Sequence, residues 1–270
     1  MKKVVGYCAI IFVLVFMYAP ILILAFYSFT DAGQIGAFHS FSFDNYIRLF
    51  TTPDLQRMIV GTLVLAVISA TAATLLGTLG AIGAFYSRKK TSNLYASVNQ
   101  VPVINADVVT GFSLCILLVV AFGISKETYI PLVIGHVVLS APFVYLSVIP
   151  KLKQMDPSLY EAALDLGASP FSALTRIVIP QILNGIISGF MLSLTLSLDD
   201  YFIATYTKPA TFDTISTYVV NATKGSHTEI KTALWALSTV IFLIVLVVVA
   251  VINIRASHKD GAVGKEKHLA

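Results

Sequence analysis

"LYEAALDLGASPFSALTRIVIP", residues 159–180, is a polar, proline-punctuated interruption in a chain that is otherwise mostly oil. Read locally, it is a short helix, a turn and a second helix. Asp156 precedes Pro157, an N-cap followed by proline in the first helical turn, where a missing N–H costs nothing. Leu159, Ala162, Ala163 and Leu166 recur at helical spacing and make a small apolar face. Glu161 and Asp165 line another face. Gly167 supplies a left-handed stop, and Ser169–Pro170 repeats the cap-plus-proline signal. Two carboxylates one turn apart weaken an isolated helix, which suits a partner that supplies cations. A connector lying on a membrane surface would carry basic residues on its polar face instead. Both a docking helix and a surface connector remain open at this level, and the acidic face favours docking.

The surroundings of this stretch set the fold class. The chain has 270 residues, of which 57% are hydrophobic and 12% charged, with a mean hydropathy of +0.84. Soluble domains carry roughly 25% charged residues. A chain this apolar cannot hide its hydrophobic surface in one water-soluble core and belongs in a lipid bilayer. The net charge of +4 sits in short flanks with no basic stripe or readout element, which excludes nucleic acid as a partner. Cys8 and Cys115 both fall in apolar runs, show no disulfide or metal-ligand spacing, and read as small core thiols.

The spacing predicts an all-α integral membrane protein with a single transmembrane domain over 1–270. Six apolar segments are long enough to cross about 30 Å of hydrocarbon. They lie at 4–28, 58–86, 101–122, 129–149, 177–206 and 230–254. The first runs on too long for a secretory signal, lacks a small-residue cleavage site, and carries Pro20 as a kink. Lys2 and Lys3, Arg88, Lys89 and Lys90, and the tail with Arg255, Lys259, Lys265 and Lys267 all fall on one side of a six-span chain. The positive-inside rule assigns that side, with both termini and the 157–172 loop, to the cytoplasm. Gly185 and Gly189 have GxxxG spacing, which serves either packing within the bundle or a dimer seam.

Glu161-Ala162-Ala163, then Gly167, then Ile177, Ile179 and Pro180 resemble the EAA signature of permease subunits of bacterial ABC importers, with Ile179 where leucine is usual. That resemblance implies a type I importer permease (MetI-like) fold. It also implies that residues 157–172 form the coupling helix, with Glu161, Ala162, Ala163, Asp165 and Gly167 meeting an ATP-hydrolysing partner. Consistent with it, the chain has no GxxxxGK[ST] phosphate loop; "GAVGKEK" at 261–267 lacks both the glycine spacing and the Ser/Thr. No enzyme motif appears either. The expectation is therefore a transporter subunit without a cofactor of its own, ATP and Mg being bound by the partner ATPase.

"YAPILILAFYSFTD", "NADVVTGFSLCILL" and "LSLTLSLDDYFIATY" extend the resemblance along nearly the whole chain to spermidine/putrescine importers, on the side of their PotC-type permease. The family implies a sister permease subunit, two ATP-binding subunits and an external polyamine-binding protein, all assembled in the bacterial cytoplasmic membrane. Other small solutes, and a stand-alone ion-coupled transporter, are the alternatives.

Acids at membrane depth are costly and point to function. Asp107, Asp199 and Asp200 are such acids, and Tyr201 beside them could face an alkylammonium chain. At about 100° per residue, Asn184, Ser188, Thr195 and Asp199 share one stripe, with Ser193, Ser197 and Asp200 opposite. Only one of the adjacent aspartates can then face a path, and the other is expected to pack or to cap the next segment. Pro102, Asn105 and Gly111 around Asp107 suit a bent or partly unwound helix. His136 reads as a helix-to-helix hydrogen bond.

Overall fold

The computed structural model describes residues 2–31, 40–156, 158–224, 232–243 and 246. The described residues are helical apart from turns, loops and one isolated antiparallel bridge, Thr30 to Phe41. The chain divides into two units, residues 1–56 with 221–270, and residues 57–220.

In the first unit, α1 spans Lys2–Ser28 and contains Pro20; α2 spans Asp44–Thr51. The apolar helix Thr232–Leu243 belongs to the same unit, where Trp235 meets Tyr27 edge-on at 6.1 Å between ring centroids. The expected span 230–254 is described over 232–243 and at 246, and its remainder lies outside the described residues. Cys8 is exposed on α1 rather than packed in a core, because α1 presents its apolar side chains outward.

The second unit is built around α3 (Pro53–Tyr86, whose first turn belongs to the first unit), α6 (Ile130–Gln154) and α9 (Ile179–Asp199). Ala73, Ala81 and Ala84 of α3 meet Val144, Val148 and Leu152 of α6, with Ile182 of α9 completing the cluster. Small residues set the helix spacing. A Cβ on Gly77 would stand 2.7 Å from the Ala141 carbonyl oxygen, and one on Gly189 would stand 3.2 Å from Val144 Cα. One on Gly185 would meet Lys151 Cγ at 2.8 Å and the Ser147 carbonyl oxygen at 3.0 Å. The GxxxG pair is thus spent on packing α9 against α6 inside the chain, not on a dimer seam.

Two expected spans are corrected. The segment placed at 101–122 has the expected bend beside Asp107, but it is an elbow whose first arm begins at Lys89. Helix α4 (Lys89–Ile104) and the helix that begins at Asp107 meet at 105° across Asn105 and Ala106. The regular part of the second arm, α5, is Asp107–Ile116, and it runs on as a π-helical turn, Leu117–Ala121. Asn105 and Ala106 are both extended, and the Asn105 amide donates across the break to Thr110 Oγ1 at 2.9 Å. The segment placed at 177–206 is one helix only to Asp199; it breaks at Asp200 and Tyr201 and resumes as a short helix from Phe202. Four described helices, or five counting the elbow as one span, are long and apolar enough to cross a membrane.

Candidate functional site

Two features carry chemistry: the polar hairpin after α6 and an acid-lined cleft at the far end of α9. The hairpin begins where Asp156 accepts two hydrogen bonds at Oδ1, from Ser158 Oγ at 2.8 Å and Ser158 N at 3.0 Å. These bonds hold the exposed Asp156 carboxyl below the usual carboxylate range. Pro157 lies outside the described residues. Helix α7 is Ser158–Asp165. It stops at Gly167, whose φ of +87° is the left-handed conformation that glycine adopts freely. Gly167 N donates to the Leu164 carbonyl at 2.9 Å and Ala168 N to the Ala163 carbonyl at 3.0 Å, the two bonds of a Schellman stop. Ser169 Oγ then accepts from Ser172 N at 3.3 Å and opens α8 (Pro170–Ala173), with Pro170 in its first turn.

No residue of α7 is buried. Glu161, Ala162, Asp165 and Gly167 are exposed and Ala163 is half-buried. Leu166 and Phe171, on either side of the turn, are 90% and 76% exposed. The hairpin therefore offers exposed carboxylates, Glu161 and Asp165, together with exposed apolar side chains. It joins α9 through a π-helical turn, Leu174–Val178, in which Ile179 N reaches back to the Leu174 carbonyl. Pro180 follows directly; its missing N–H and its ring are accommodated by this wider turn.

At the other end of α9 the two aspartates separate. Asp199 is exposed, in line with Asn184, Ser188 and Thr195, which are exposed along the same stripe. Asp200 is 8% exposed and caps the next helix, α10 (Phe202–Thr207). Its Oδ1 accepts from Ile203 N at 3.2 Å and its Oδ2 from Ala204 N at 2.7 Å. Beneath it lies His136, fully buried on α6. His136 Nδ1 is 2.8 Å from Ser197 Oγ, the expected helix-to-helix hydrogen bond, and Nε2 is 3.7 Å from Asp200 Oδ2. The approach of His136 to Asp200 escaped sequence reasoning, since no local spacing links the two.

Asp107 opens α5 at the elbow, where the helix N-terminus favours a negative charge. It joins Asp199, Asp200 and Tyr201 around a cleft of about 220 Å³ with Leu139 and Leu196 on its apolar wall. Among the described residues neither Asp107 nor Asp199 has a Lys or Arg ion-pair partner. The cleft thus presents two uncommitted carboxylates, one committed carboxylate and an aromatic face.

Comparison with known proteins decides the family. The family described as the inner membrane component of binding-protein-dependent transport systems matches residues 73–259. The chain belongs to that family. It is a permease subunit of ABC-importer type, a membrane protein and not an enzyme. Among its relatives, the putrescine transport system permease protein PotI of Escherichia coli K12 is 33% identical over 84% of this chain and 81% of its own length. The spermidine/putrescine transport system permease protein PotC of Haemophilus influenzae is 29% identical over 90% of this chain and 94% of its own. A subunit in the crystal structure of a bacterial ABC transporter importing the acidic polysaccharide alginate superposes with a TM-score of 0.71 at 20% identity, covering 94% of this permease and 95% of that chain. That likeness places the permease in the MetI-like fold. Family membership also carries a substrate-binding protein and an ATPase as working partners.

Proposed function

We propose that this permease moves polyamines into the cytoplasm, as one of two membrane subunits that alternate access under the control of two ATP-binding subunits. An external polyamine-binding protein delivers the cargo. ATP and Mg belong to the partner ATPases; the hairpin at 157–172 receives their movement through Glu161, Ala162, Ala163, Asp165 and Gly167.

The observation that carries the cargo class is the pair of uncommitted carboxylates, Asp107 and Asp199, in one cleft. An anion held at membrane depth without a cation is unfavourable until a cation arrives. A linear polyamine offers several ammonium groups joined by methylene chains. Two separated carboxylates with an apolar wall and the Tyr201 ring match that pattern. An anionic solute would be repelled by the same charges. The relatives named for putrescine and spermidine transport support the same reading.

The test is reconstitution with the partner subunits and the binding protein in liposomes, scoring uptake and cargo-stimulated ATP hydrolysis with putrescine, spermidine, and neutral or anionic solutes. Stimulation by a polyamine, lost in Asp107→Asn and Asp199→Asn, is the expected result. Wild-type uptake in both variants would remove the acids from the path, and uptake by the purified chain alone under an ion gradient would replace the ATP-driven mechanism.

A further inference from the structure

Helix α2 has three faces. At about 100° per residue, Asn45 and Leu49 point one way, Asp44, Arg48 and Thr51 a second, and Phe43, Ile47 and Phe50 a third, with Phe43 just before the first turn. The first face is buried. Asn45 donates its side-chain amide to the Ser28 carbonyl at 3.1 Å and the Thr30 carbonyl at 2.9 Å, which takes up free carbonyls where α1 ends. Tyr46 Oη and Ser28 Oγ lie 2.8 Å apart. The third face is the opposite case: Phe43, Ile47 and Phe50 are 67%, 57% and 62% exposed. Three large apolar side chains in a row on a helix this short form a surface that water disfavours.

The ends of the helix decide what covers that face. Asn45 and Tyr46 tie α2 to Ser28, the last residue of one apolar span. At the other end a single residue, Thr52, separates α2 from Pro53, the first residue of another apolar span. The Gln56 side chain donates back to the Phe50 carbonyl and closes this joint. A helix held between the same-side ends of two membrane-crossing helices sits at the level of the bilayer surface. We propose that α2 is an interfacial helix whose Phe43, Ile47 and Phe50 face lies in the lipid of the outer leaflet. Its exposed Asp44 and Thr51 are turned to headgroups and water. Aromatic and branched side chains on one face and charges on another are what the boundary between acyl chains and headgroups selects.

Spin-label accessibility in the full importer complex, reconstituted in phosphatidylethanolamine–phosphatidylglycerol vesicles, tests this. Cys8 and Cys115 are replaced by alanine, and single labels are placed by Ile47→Cys, Phe50→Cys and Asp44→Cys. The expected result is that collisions with oxygen outnumber those with a water-soluble nickel chelate at 47 and 50, and that the order reverses at 44. Nickel-dominated collisions at 47 or 50 overturn the proposal, because the face is then in water. Suppression of both reagents at 47 or 50 also overturns it, since a protein, either the sister permease or the binding protein, then covers the face.

Discussion

The ring of Tyr160, on α7, lies 4.9 Å from the ring of Tyr86, the last residue of α3, with the planes inclined at 44°. No residue of α7 is fully buried, and half-buried Tyr160 is among the side chains packed on the α3–α6–α9 core. This aromatic contact helps to fasten the exposed hairpin inward. An aromatic pair of this kind contributes about 0.5–1.5 kcal/mol beyond its buried area. If the hairpin transmits ATPase movement, Tyr160→Ala and Tyr86→Ala each lower uptake per ATP hydrolysed, by about two- to tenfold on that scale. Tyr160→Phe keeps the ring and keeps the ratio. The double alanine variant is no worse than either single one, because both remove the same contact. Independent, additive losses would mean that the rings act separately.

Gly167 gives a sharper test of the hairpin's shape. A Cβ there would meet nothing within 4 Å, so only its φ of +87° resists substitution. Gly167→Ala is expected to cost about 1–2 kcal/mol of local stability, and Gly167→Asn less, since asparagine tolerates the left-handed region. Gly167→Pro fixes φ near −65° and removes the N–H that bonds the Leu164 carbonyl. Copurification of the partner ATPase should follow the order Gly, Asn, Ala, Pro, while the amount of permease in the membrane stays constant. Equal copurification by all four would show that the stop is not needed for docking.

This hairpin was readable in advance because its instructions are local. Caps, a glycine stop and a proline start act over a few residues, and Asp156, Gly167 and Ser169 behave as those rules require. The exposure of Asp199 was also readable, because helical periodicity alone puts it on the stripe of Asn184, Ser188 and Thr195. Pro102, Asn105 and Gly111 marked the bend in the third segment, but hydropathy could not give its 105° angle or the start of its first arm at Lys89, since both arms are apolar enough to pass as one span. Nor could it show that the fifth stops at Asp199, because the break depends on Asp200 turning inward to cap α10. The union of His136 with Ser197 and Asp200 depends on how α6 packs against α9, which is a property of the whole bundle.

The close approach of α6 and α9 makes a stability prediction. Gly185→Leu forces a side chain against the Ser147 backbone and Lys151, and overpacking of this kind costs about 1–3 kcal/mol or more. Gly83, in α3, has open space where its Cβ would stand, and Gly83→Ala should stabilise by about 0.5–1 kcal/mol through helix propensity alone. Thermal unfolding in detergent separates the two: a lower midpoint for Gly185→Leu, an equal or higher one for Gly83→Ala. Were the GxxxG pair a dimer seam, Gly185→Leu would change oligomeric state and leave the unfolding midpoint of the isolated chain alone.

Asp199 and Asp200 are neighbours in sequence with different work to do, and two readouts should cross between them. Asp200→Ala removes the acceptor for two amides of α10, a capping loss of about 0.5–2 kcal/mol. It also removes the carboxylate that faces His136 Nε2. His136→Phe fills the same space but leaves the buried Ser197 hydroxyl without its partner, at about 1–3 kcal/mol. Both variants should therefore lower the unfolding midpoint of the purified permease. Asp199→Asn touches neither the cap nor the histidine, and its carboxylate is exposed to the cleft. It should leave the midpoint unchanged while uptake of a polyamine falls. An unfolding midpoint lowered by Asp199→Asn, or one untouched by Asp200→Ala, would reverse the two assignments, because the stripe that reaches Asp199 would then be the packed one.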